Sequence, residues 1–270
     1  MNITGNRHKL TADGLFLAES GTQHAQSILF LHSSGSNSGM WTKHFAVFEK
    51  SFHCIAPDFP GHGKSNSIAW TTIDETTDSI AKIIKNKCRG SVNVVGVSLG
   101  GSIIYRLMEK YPELIDKVII DGASPVPIKG HRLVIFGVTV TSPLLRTGFM
   151  IKMMAKGLKV LPEEFDSFKK GFENTSPKSF RRAMVQANRL KSDIDSRQVK
   201  IPAFFVSGET ESETMHRFHQ KFAEKIPGSE CAVYPQKGHA WLVEDIETHI
   251  ELLRYWFFDG EFPVKLRRIS

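Results

Sequence analysis

Residues Val92–Val97 form a short run in which four of the six residues are valine. A β-branched run of this length predicts a strand that is buried on both of its faces. Strands of that kind occur in parallel sheets whose two faces are covered by helices. The run therefore favours an α/β fold, in which strands and helices alternate along the chain.

The same alternation is visible on both sides of this run. Apolar residues with helical spacing predict helices at Asp74–Lys87 and at Gly100–Tyr111, the second of which ends before a proline. We therefore predict an α/β architecture with a mostly parallel central sheet flanked by helices. Its other strands are predicted at Gly14–Glu19, Ser27–Leu31, His53–Pro57, Lys117–Ile120, Ala203–Ser207 and Glu230–Tyr234.

Residues 122–196 interrupt the alternation and are helical in character, apart from the run Val134–Val140. We predict that they form a helical cap inserted after the sixth strand, and that residues 1–121 and 197–270 form the core. The net charge of the whole chain is +7, yet Gly122–Lys200 contains 15 Lys and Arg against 6 Asp and Glu. This excess indicates either a solvated helical face or the attraction of an anionic substrate or membrane surface.

The remaining composition excludes several classes of protein. The three cysteines, Cys54, Cys88 and Cys231, are too scattered for a disulfide framework or a zinc site. Aromatic and basic residues are not interleaved as in nucleic-acid-binding proteins. The first residues lack the apolar core of a secretory signal, and the longest apolar stretch, Leu133–Leu145, is interrupted by a glycine and a proline. We expect a cytoplasmic protein without nucleic-acid partners or stable membrane insertion.

The strand Val92–Val97 leads into Gly96–Gly100, whose sequence GVSLG has the pattern G-x-S-x-G. Glycine at both ends lets the strand and the following helix approach closely, so that a sharp turn exposes the Ser98 hydroxyl. The amino-terminal end of that helix stabilises negative charge at the same point. The pattern predicts Ser98 as a nucleophile, and the alternative is a glycine-rich turn without chemistry.

Four motifs follow one another along the chain: Leu29–Gly35 followed by Trp41, Asp58–Ser65, Gly96–Gly100 and Gly238–Trp241. In this order they resemble the α/β-hydrolase superfamily, in the cap-bearing branch that includes esterases, lactonases and C–C bond hydrolases. The chain departs from the family pattern at Ser33, where glycine is usual after the histidine of the first motif. The resemblance implies the α/β-hydrolase fold and a triad in the chain order serine, acid, histidine.

The resemblance also assigns the groups that would activate Ser98. A serine hydroxyl needs a base within hydrogen-bond reach, and that base needs an orienting acid. His239 follows the last predicted strand and is assigned as the general base. The family's acid position falls at Glu211, while Asp121 occupies the family's alternative location and Glu209 is a third option.

Two backbone N–H groups are expected to form the oxyanion hole. One belongs to Leu99, which follows the nucleophile, and the other to Ser34, with Ser33 as the alternative. His32 is expected to brace the loop that carries them. His216 and His219, three residues apart on a predicted helix, lack a third metal ligand and are interpreted as surface residues.

The residues together predict a serine hydrolase that cleaves a small ester, lactone or thioester through an acyl-enzyme, without a metal or organic cofactor. The alternatives are a C–C bond hydrolase with the same triad and a non-enzymatic ligand-binding or signalling protein on this fold. The partner is a small acyl substrate, for which an anionic group is one option. Apolar residues of the insertion either line an acyl pocket or pack the cap on the core: Phe136, Leu144, Leu145, Phe149, Met150, Met153 and Met154.

Overall fold

The computed structural model describes residues 9–11, 13–192 and 199–269. Nine strands lie within these ranges and form a single sheet. They are β1 (Lys9–Leu10), β2 (Phe16–Ser20), β3 (Ser27–Leu31), β4 (His53–Pro57), β5 (Val92–Val97), β6 (Ile115–Asp121), β7 (Ala203–Gly208), β8 (Glu230–Tyr234) and β9 (Arg267–Arg268).

The strand order across the sheet is β1-β2-β4-β3-β5-β6-β7-β8-β9. The strands from β4 to β8 in this order are parallel to one another. The outer strands are antiparallel to their neighbours, β1 to β2, β2 to β4 and β9 to β8. The predicted mostly parallel sheet is therefore confirmed, although β1 and β9, with two residues each, are too short to give a sequence pattern.

The described residues also contain ten α-helices. Four of these lie between β6 and β7, and we call them together the insertion. The helices are α1 (Thr42–Phe48), α2 (Ile73–Lys87), α3 (Leu99–Lys110), α4 (His131–Thr141), α5 (Gly148–Gly157), α6 (Phe165–Glu173), α7 (Pro177–Asn188), α8 (Glu213–Lys225), α9 (Trp241–Glu244) and α10 (Ile246–Phe258).

Helix α4 contains the run Val134–Val140, so the exclusion of this run from the helical segment was wrong. β-branched residues lower helix propensity only slightly, and the surrounding structure readily overrides that preference. The predicted end of the cap at residue 196 lies outside the described residues. No helix in the described part of the chain has the length and apolar character required to cross a bilayer.

The core lies on both faces of the sheet. In β5, Val94 belongs to the apolar cluster with α2, α3 and α8, whereas Val95 belongs to the cluster with α1 and α10. Successive side chains of a strand point to opposite faces, so a strand covered on both sides must be apolar throughout. This requirement explains why the valine run lies at the centre of the sheet.

Helix α7 attaches the insertion to the core through Gln186. The Gln186 side-chain oxygen accepts hydrogen bonds from the Ile73 backbone N–H at 2.9 Å and from Trp70 Nε1 at 3.2 Å. Its amide nitrogen donates to the Thr71 carbonyl oxygen at 2.8 Å. The insertion also has its own small apolar cluster, formed by Leu145, Ile151, Phe172 and Phe180. Because Phe180 belongs to α7, this helix both packs within the insertion and attaches the insertion to the core.

Candidate active site

Ser98 occupies a tight turn between β5 and α3. Its backbone has φ 55° and ψ −107°, a conformation that a residue with a side chain rarely adopts. A Cβ atom on Gly96 would lie 2.6 Å from the Gly100 carbonyl carbon, and one on Gly100 would lie 2.2 Å from the Leu31 oxygen. Glycine is therefore required at both positions, which is the physical basis of the G-x-S-x-G pattern.

The same turn brings three strand ends together. The Ser98 N–H donates to the Asp121 carbonyl oxygen at 2.8 Å, and Leu31 pairs with Gly96 across β3 and β5. Leu99 is the first residue of α3, where backbone N–H groups have no acceptor within the helix. The loop that contains Ser34 begins directly after β3, whose last residue, Leu31, pairs with Gly96.

His239 contacts Glu211 at the carboxyl ends of two neighbouring strands, since Glu211 follows β7 and His239 follows β8. His239 Nδ1 lies 2.6 Å from Glu211 Oε2, and Glu211 Oε1 accepts from the Gly208 N–H at 3.1 Å. The negative charge of Glu211 raises the pKa of His239 to about 9, although burial acts in the opposite direction. Burial alone would raise the pKa of Glu211, but the charge and hydrogen bond of His239 outweigh it and lower that pKa.

Gly122, directly after β6, leaves room for this pair, a role that the sequence motifs did not indicate. It has φ +59°, and a Cβ atom there would lie 2.9 Å from His239 Cε1 and Nδ1 and 3.4 Å from Glu211 Oε1. Only glycine fits both the backbone conformation and the space. A glycine directly after a buried strand was the available signal, but the sequence does not reveal what lies against it.

Ser98 and His239 line one cavity of about 310 Å³. His239 is accessible from it, with 40% of its side chain exposed. Within the described residues no hydrogen bond joins Ser98 Oγ to His239, and hydrogen bonds between catalytic groups are often long or absent until a substrate binds. The other lining residues are mostly apolar or small: Ser102, Gly122, Ala123, Ser124, Val126, Ile128, Val134, Met184, Ala187, Asn188, Glu211, Ser212 and Met215.

A larger cavity of about 790 Å³ lies elsewhere, between the loop that contains Asn37 and helix α6. Its described lining contains no histidine that could activate a hydroxyl group. Size alone therefore does not locate the chemistry. We assign the candidate site to the smaller cavity because a serine and a histidine–carboxylate pair meet there.

Asp121 and Glu209 form their side-chain hydrogen bonds with partners other than His239. Asp121 is fully buried, and its Oδ1 accepts from Trp241 Nε1 at 2.9 Å. Burial, and then the charge of Glu211, raise the pKa of Asp121 to about 8, so it is protonated at neutral pH. Glu209 accepts from the Gln236 N–H at 2.8 Å and pairs with Arg267. The structure thus brings Glu211, rather than either alternative, to the histidine.

His32 and Asp58 hold the loop after β3. His32 Nδ1 donates to the Ser33 carbonyl oxygen at 2.8 Å, and His32 Nε2 accepts from the Phe59 N–H at 2.9 Å. Burial lowers the pKa of His32 to about 4, which keeps the ring neutral. Asp58 accepts from the Ser38 and Lys64 N–H groups, both at 2.7 Å. These contacts brace the loop, as predicted for His32, and Asp58 contributes to the same bracing.

The surface interpretation of the two histidines in α8 was wrong for His219. This side chain is fully buried, and its Nε2 donates to the Ala123 carbonyl oxygen at 2.8 Å. Burial lowers its pKa to about 4. Its helical neighbours Met215 and Phe222 are buried on the same face, a spacing that would have predicted its burial. His216 is partly buried, and its Nε2 donates to the Gly208 oxygen at 3.2 Å.

The apolar residues proposed as an acyl pocket do not line the cavity over Ser98. Leu145, Met150 and Met154 pack inside the insertion or against its cluster. The other four, Phe136, Leu144, Phe149 and Met153, are exposed to solvent. The described lining of the cavity instead comes from Val126, Ile128, Val134, Met184 and Ala187, together with core residues. The three cysteines are free, and no group of three His, Cys, Asp or Glu within the described ranges is arranged to hold a metal ion.

Comparison with known proteins places these features in a family. Residues 28–248 match the alpha/beta hydrolase family. The AB hydrolase superfamily protein of Gibberella zeae is 24% identical over 243 residues, covering 88% of this chain and 82% of that protein. The pimeloyl-(acyl-carrier protein) methyl ester esterase of Nitrosomonas europaea is 29% identical over 104 residues, but the match covers 38% of this chain and 40% of that protein.

Solved structures extend the comparison to the fold. The enol-lactonase from Burkholderia xenovorans LB400 superposes with a TM-score of 0.77 and 18% identity, covering 93% of this chain and 99% of that chain. At this identity the likeness bears on the fold alone. It confirms the predicted α/β-hydrolase fold.

Proposed function

We propose, on the premise that the chain belongs to the alpha/beta hydrolase family, that it cleaves small ester-like substrates through an acyl-enzyme on Ser98. The observation that supports this proposal is that Ser98 and His239 line one cavity and that Glu211 Oε2 lies 2.6 Å from His239 Nδ1. The prediction of an alpha/beta-hydrolase enzyme is confirmed at the level of the family. The roles of the individual residues are our proposal.

In the first step, Ser98 Oγ attacks the carbonyl carbon of the substrate and its proton passes to His239 Nε2. Collapse of the tetrahedral intermediate breaks the bond to the leaving group, which takes the proton from His239. Water then gives a proton to the same nitrogen and attacks the carbonyl carbon of the acyl-enzyme. Collapse of this second tetrahedral intermediate breaks the bond to Ser98 Oγ, which takes the proton back from His239 as the acid leaves. Glu211 fixes the ring through Nδ1 and stabilises the imidazolium that forms in each step.

The developing oxyanion is assigned to the backbone N–H groups of Leu99 and Ser34. The first has no acceptor within α3, and the positive end of the helix dipole lies at the same place. The second belongs to the loop that His32 braces. Donors held in place before the reaction stabilise an oxyanion without reorganising during it.

A neutral, apolar acyl group fits the cavity best. The described lining contains Val126, Ile128, Val134 and Met184, and its only charged or titratable side chains are Glu211 and His239. A volume of about 310 Å³ lies at the low end of ligand pockets, which favours a small group. The names of the methyl ester esterase and the enol-lactonase support carboxylic esters and lactones as the first classes to test. An anionic substrate stays a prediction.

The proposal is tested with a panel of neutral acyl esters of graded chain length, lactones, thioesters and C–C bond substrates. We expect the wild-type protein to turn over short esters or lactones, and Ser98→Ala to lose that turnover. Turnover of C–C substrates alone would replace the ester proposal. Binding of esters without turnover in the wild type would point to a ligand-binding protein.

A further inference from the structure

Helix α4 is apolar on both of its faces, yet none of its eleven residues is buried. Val138 packs against the apolar cluster of the insertion, and Ile135, three residues before it, is also half-buried. Leu133, Phe136 and Val140, spaced i, i+3 and i+7, lie together on the opposite side, where they are exposed. A helix that is apolar all round is normally covered by protein or by lipid. The described residues leave the outer face of α4 exposed, although a face of this composition is normally covered by protein or lipid.

The same feature continues through the connection to α5. Leu144 is exposed before α5 begins, and Phe149 and Met153, four residues apart, share one face of α5. We call these residues the α4–α5 surface: Leu133, Phe136, Val140, Leu144, Phe149 and Met153. Each of the six is between 49% and 77% exposed. Large exposed apolar sets of this kind mark interaction sites in soluble proteins.

The charge around these residues has one sign. Between Gly122 and Pro162 the sequence contains no Asp or Glu, but it contains six basic residues. The acidic residues of the insertion begin only at Glu163, and two of those that follow are paired, Glu164 with Lys43 and Glu173 with Lys169. The basic residues are Lys129, Arg132, Arg146, Lys152, Lys156 and Lys159.

We propose that the α4–α5 surface binds to the surface of an anionic lipid bilayer. Exposed apolar side chains on short helices, with Lys and Arg beside them and no acidic residue, are the features that hold a helix at a membrane interface. Anionic headgroups supply the complementary charge, and each nearby Lys or Arg strengthens the binding. The long basic side chains reach the headgroups while the aromatic and aliphatic ones enter the interface.

A second copy of the chain is a poorer occupant of this surface. Pairing two identical surfaces would bring twelve like charges together, because each copy contributes six. An acidic protein partner would match the charge. However, the apolar residues stand on the outer faces of two helices, and none of the six lines either cavity described above, whereas a partner helix is normally received in a groove. A bilayer accepts such protruding side chains without a matching shape.

The α4–α5 surface adjoins the candidate active site. Val134, in the first turn of α4, lines the cavity over Ser98, as does Ile128, which precedes the helix. If the proposed hydrolase function holds, binding would bring the cavity close to amphiphilic acyl substrates in the membrane. The binding itself does not depend on hydrolysis and is tested separately.

The test is sedimentation of the full-length Ser98→Ala protein with phosphatidylcholine vesicles, with and without phosphatidylserine. This variant leaves the lipids intact. We expect binding to the anionic vesicles that weakens as ionic strength rises from about 0.01 M to about 0.15 M. Phe136→Ser and Phe149→Ser should each lower the partition coefficient about ten-fold. The double change Lys152→Gln and Lys156→Gln should lower it about 25-fold.

Matched controls lie outside the insertion. Val264 is 93% exposed and Lys221 is exposed on α8, so Val264→Ser and Lys221→Gln should leave binding unchanged. Equal binding to neutral and anionic vesicles, no binding, or indifference to the two phenylalanine variants would overturn the proposal. A dimer in size-exclusion chromatography that Phe136→Ser dissociates would assign the surface to a second copy instead. None of these results bears on hydrolysis of soluble esters.

Discussion

Two carboxyl groups, Glu211 and Asp121, lie close to His239, and their pKa values are shifted in opposite directions. Glu211 keeps its charge because the histidine hydrogen bond compensates for its burial, whereas Asp121 is protonated and accepts from Trp241. Only a charged carboxylate can orient the ring and stabilise the imidazolium. The distinction between the two groups is therefore electrostatic as well as geometric.

We predict that Glu211→Gln lowers kcat by about 10³–10⁴-fold, because an amide at this position favours the wrong ring tautomer. Asp121→Asn retains an oxygen that accepts from Trp241 and resembles the protonated acid, so it should cost less than about ten-fold. Steady-state kinetics of both variants on one ester provide the measurement. A large loss in Asp121→Asn alone would move the acid role to Asp121.

The Glu211–His239 pair also predicts the pH dependence. His239 must be neutral to accept the Ser98 proton, and Glu211 raises the pKa of His239 to about 9. Activity should therefore rise with pH, and the midpoint of kcat/KM should lie above the ordinary histidine value of about 6.5. Glu211→Gln should shift the His239 midpoint downward in an NMR titration. A kinetic midpoint below 6.5 in the wild type would contradict this electrostatic account.

At the scale of elements, the ends of β5, β6, β7 and β8 bring the site residues together. Directly after β6, Gly122 leaves room for the ring of His239. Gly122→Ala places a methyl group 2.9 Å from His239 in a left-handed backbone position. We predict a loss of about 10² in kcat, since a displacement of about 1 Å has that effect on aligned catalytic groups.

Gly90→Ala is the matched control for that change. Gly90 has φ +105°, and a Cβ atom there would meet nothing within 4 Å. Both variants should lose about 1–2 kcal/mol of unfolding free energy through backbone strain. Denaturant unfolding and ester kinetics separate the two effects. An equal loss of kcat in both variants would show that Gly122 acts through stability alone.

Much of this arrangement was predictable from local sequence. Strands β3, β4, β5 and β8 begin and end at the predicted residues, because apolar runs between polar turns define buried strands. The Ser98 turn was also accessible, since both glycines are required within five residues. The contact between His239 and Glu211 joins positions 28 residues apart, and the family resemblance, rather than spacing, suggested it. The burial of His219 could have been predicted from its spacing from Met215 and Phe222. The space that Gly122 leaves for His239 depends instead on tertiary neighbours that no short pattern encodes.

At the scale of the whole molecule, α7 links the core to the wall of the cavity. Gln186 makes three hydrogen bonds to the segment 70–73, while Met184, Ala187 and Asn188 of the same helix line the cavity. Ser179 and Arg182 of α7 also form hydrogen bonds with Trp70, so the placement of this wall relative to Ser98 depends on a set of polar contacts, of which Gln186 makes three. The sequence predicted a helical insertion here, but the attachment crosses more than 100 positions and has no sequence signature.

We predict that Gln186→Ala lowers the unfolding free energy by about 1–3 kcal/mol, because it leaves the Ile73 N–H and Trp70 Nε1 without their acceptor. KM should rise more than kcat falls, since the change moves a cavity wall and leaves the reacting groups in place. Lys178→Ala, an exposed position on the same helix, is the control. A fall in kcat with KM unchanged would argue against this role for α7.

The central claim is that Ser98 is a nucleophile activated by His239. A fluorophosphonate probe, which labels activated serine residues covalently, tests it most directly when the site of labelling is located by mass spectrometry. We predict a single label on the Ser98 peptide of the wild-type protein, no label on Ser98→Ala, and much slower labelling of His239→Ala. No label on the native protein, or a label that survives Ser98→Ala, would contradict the account.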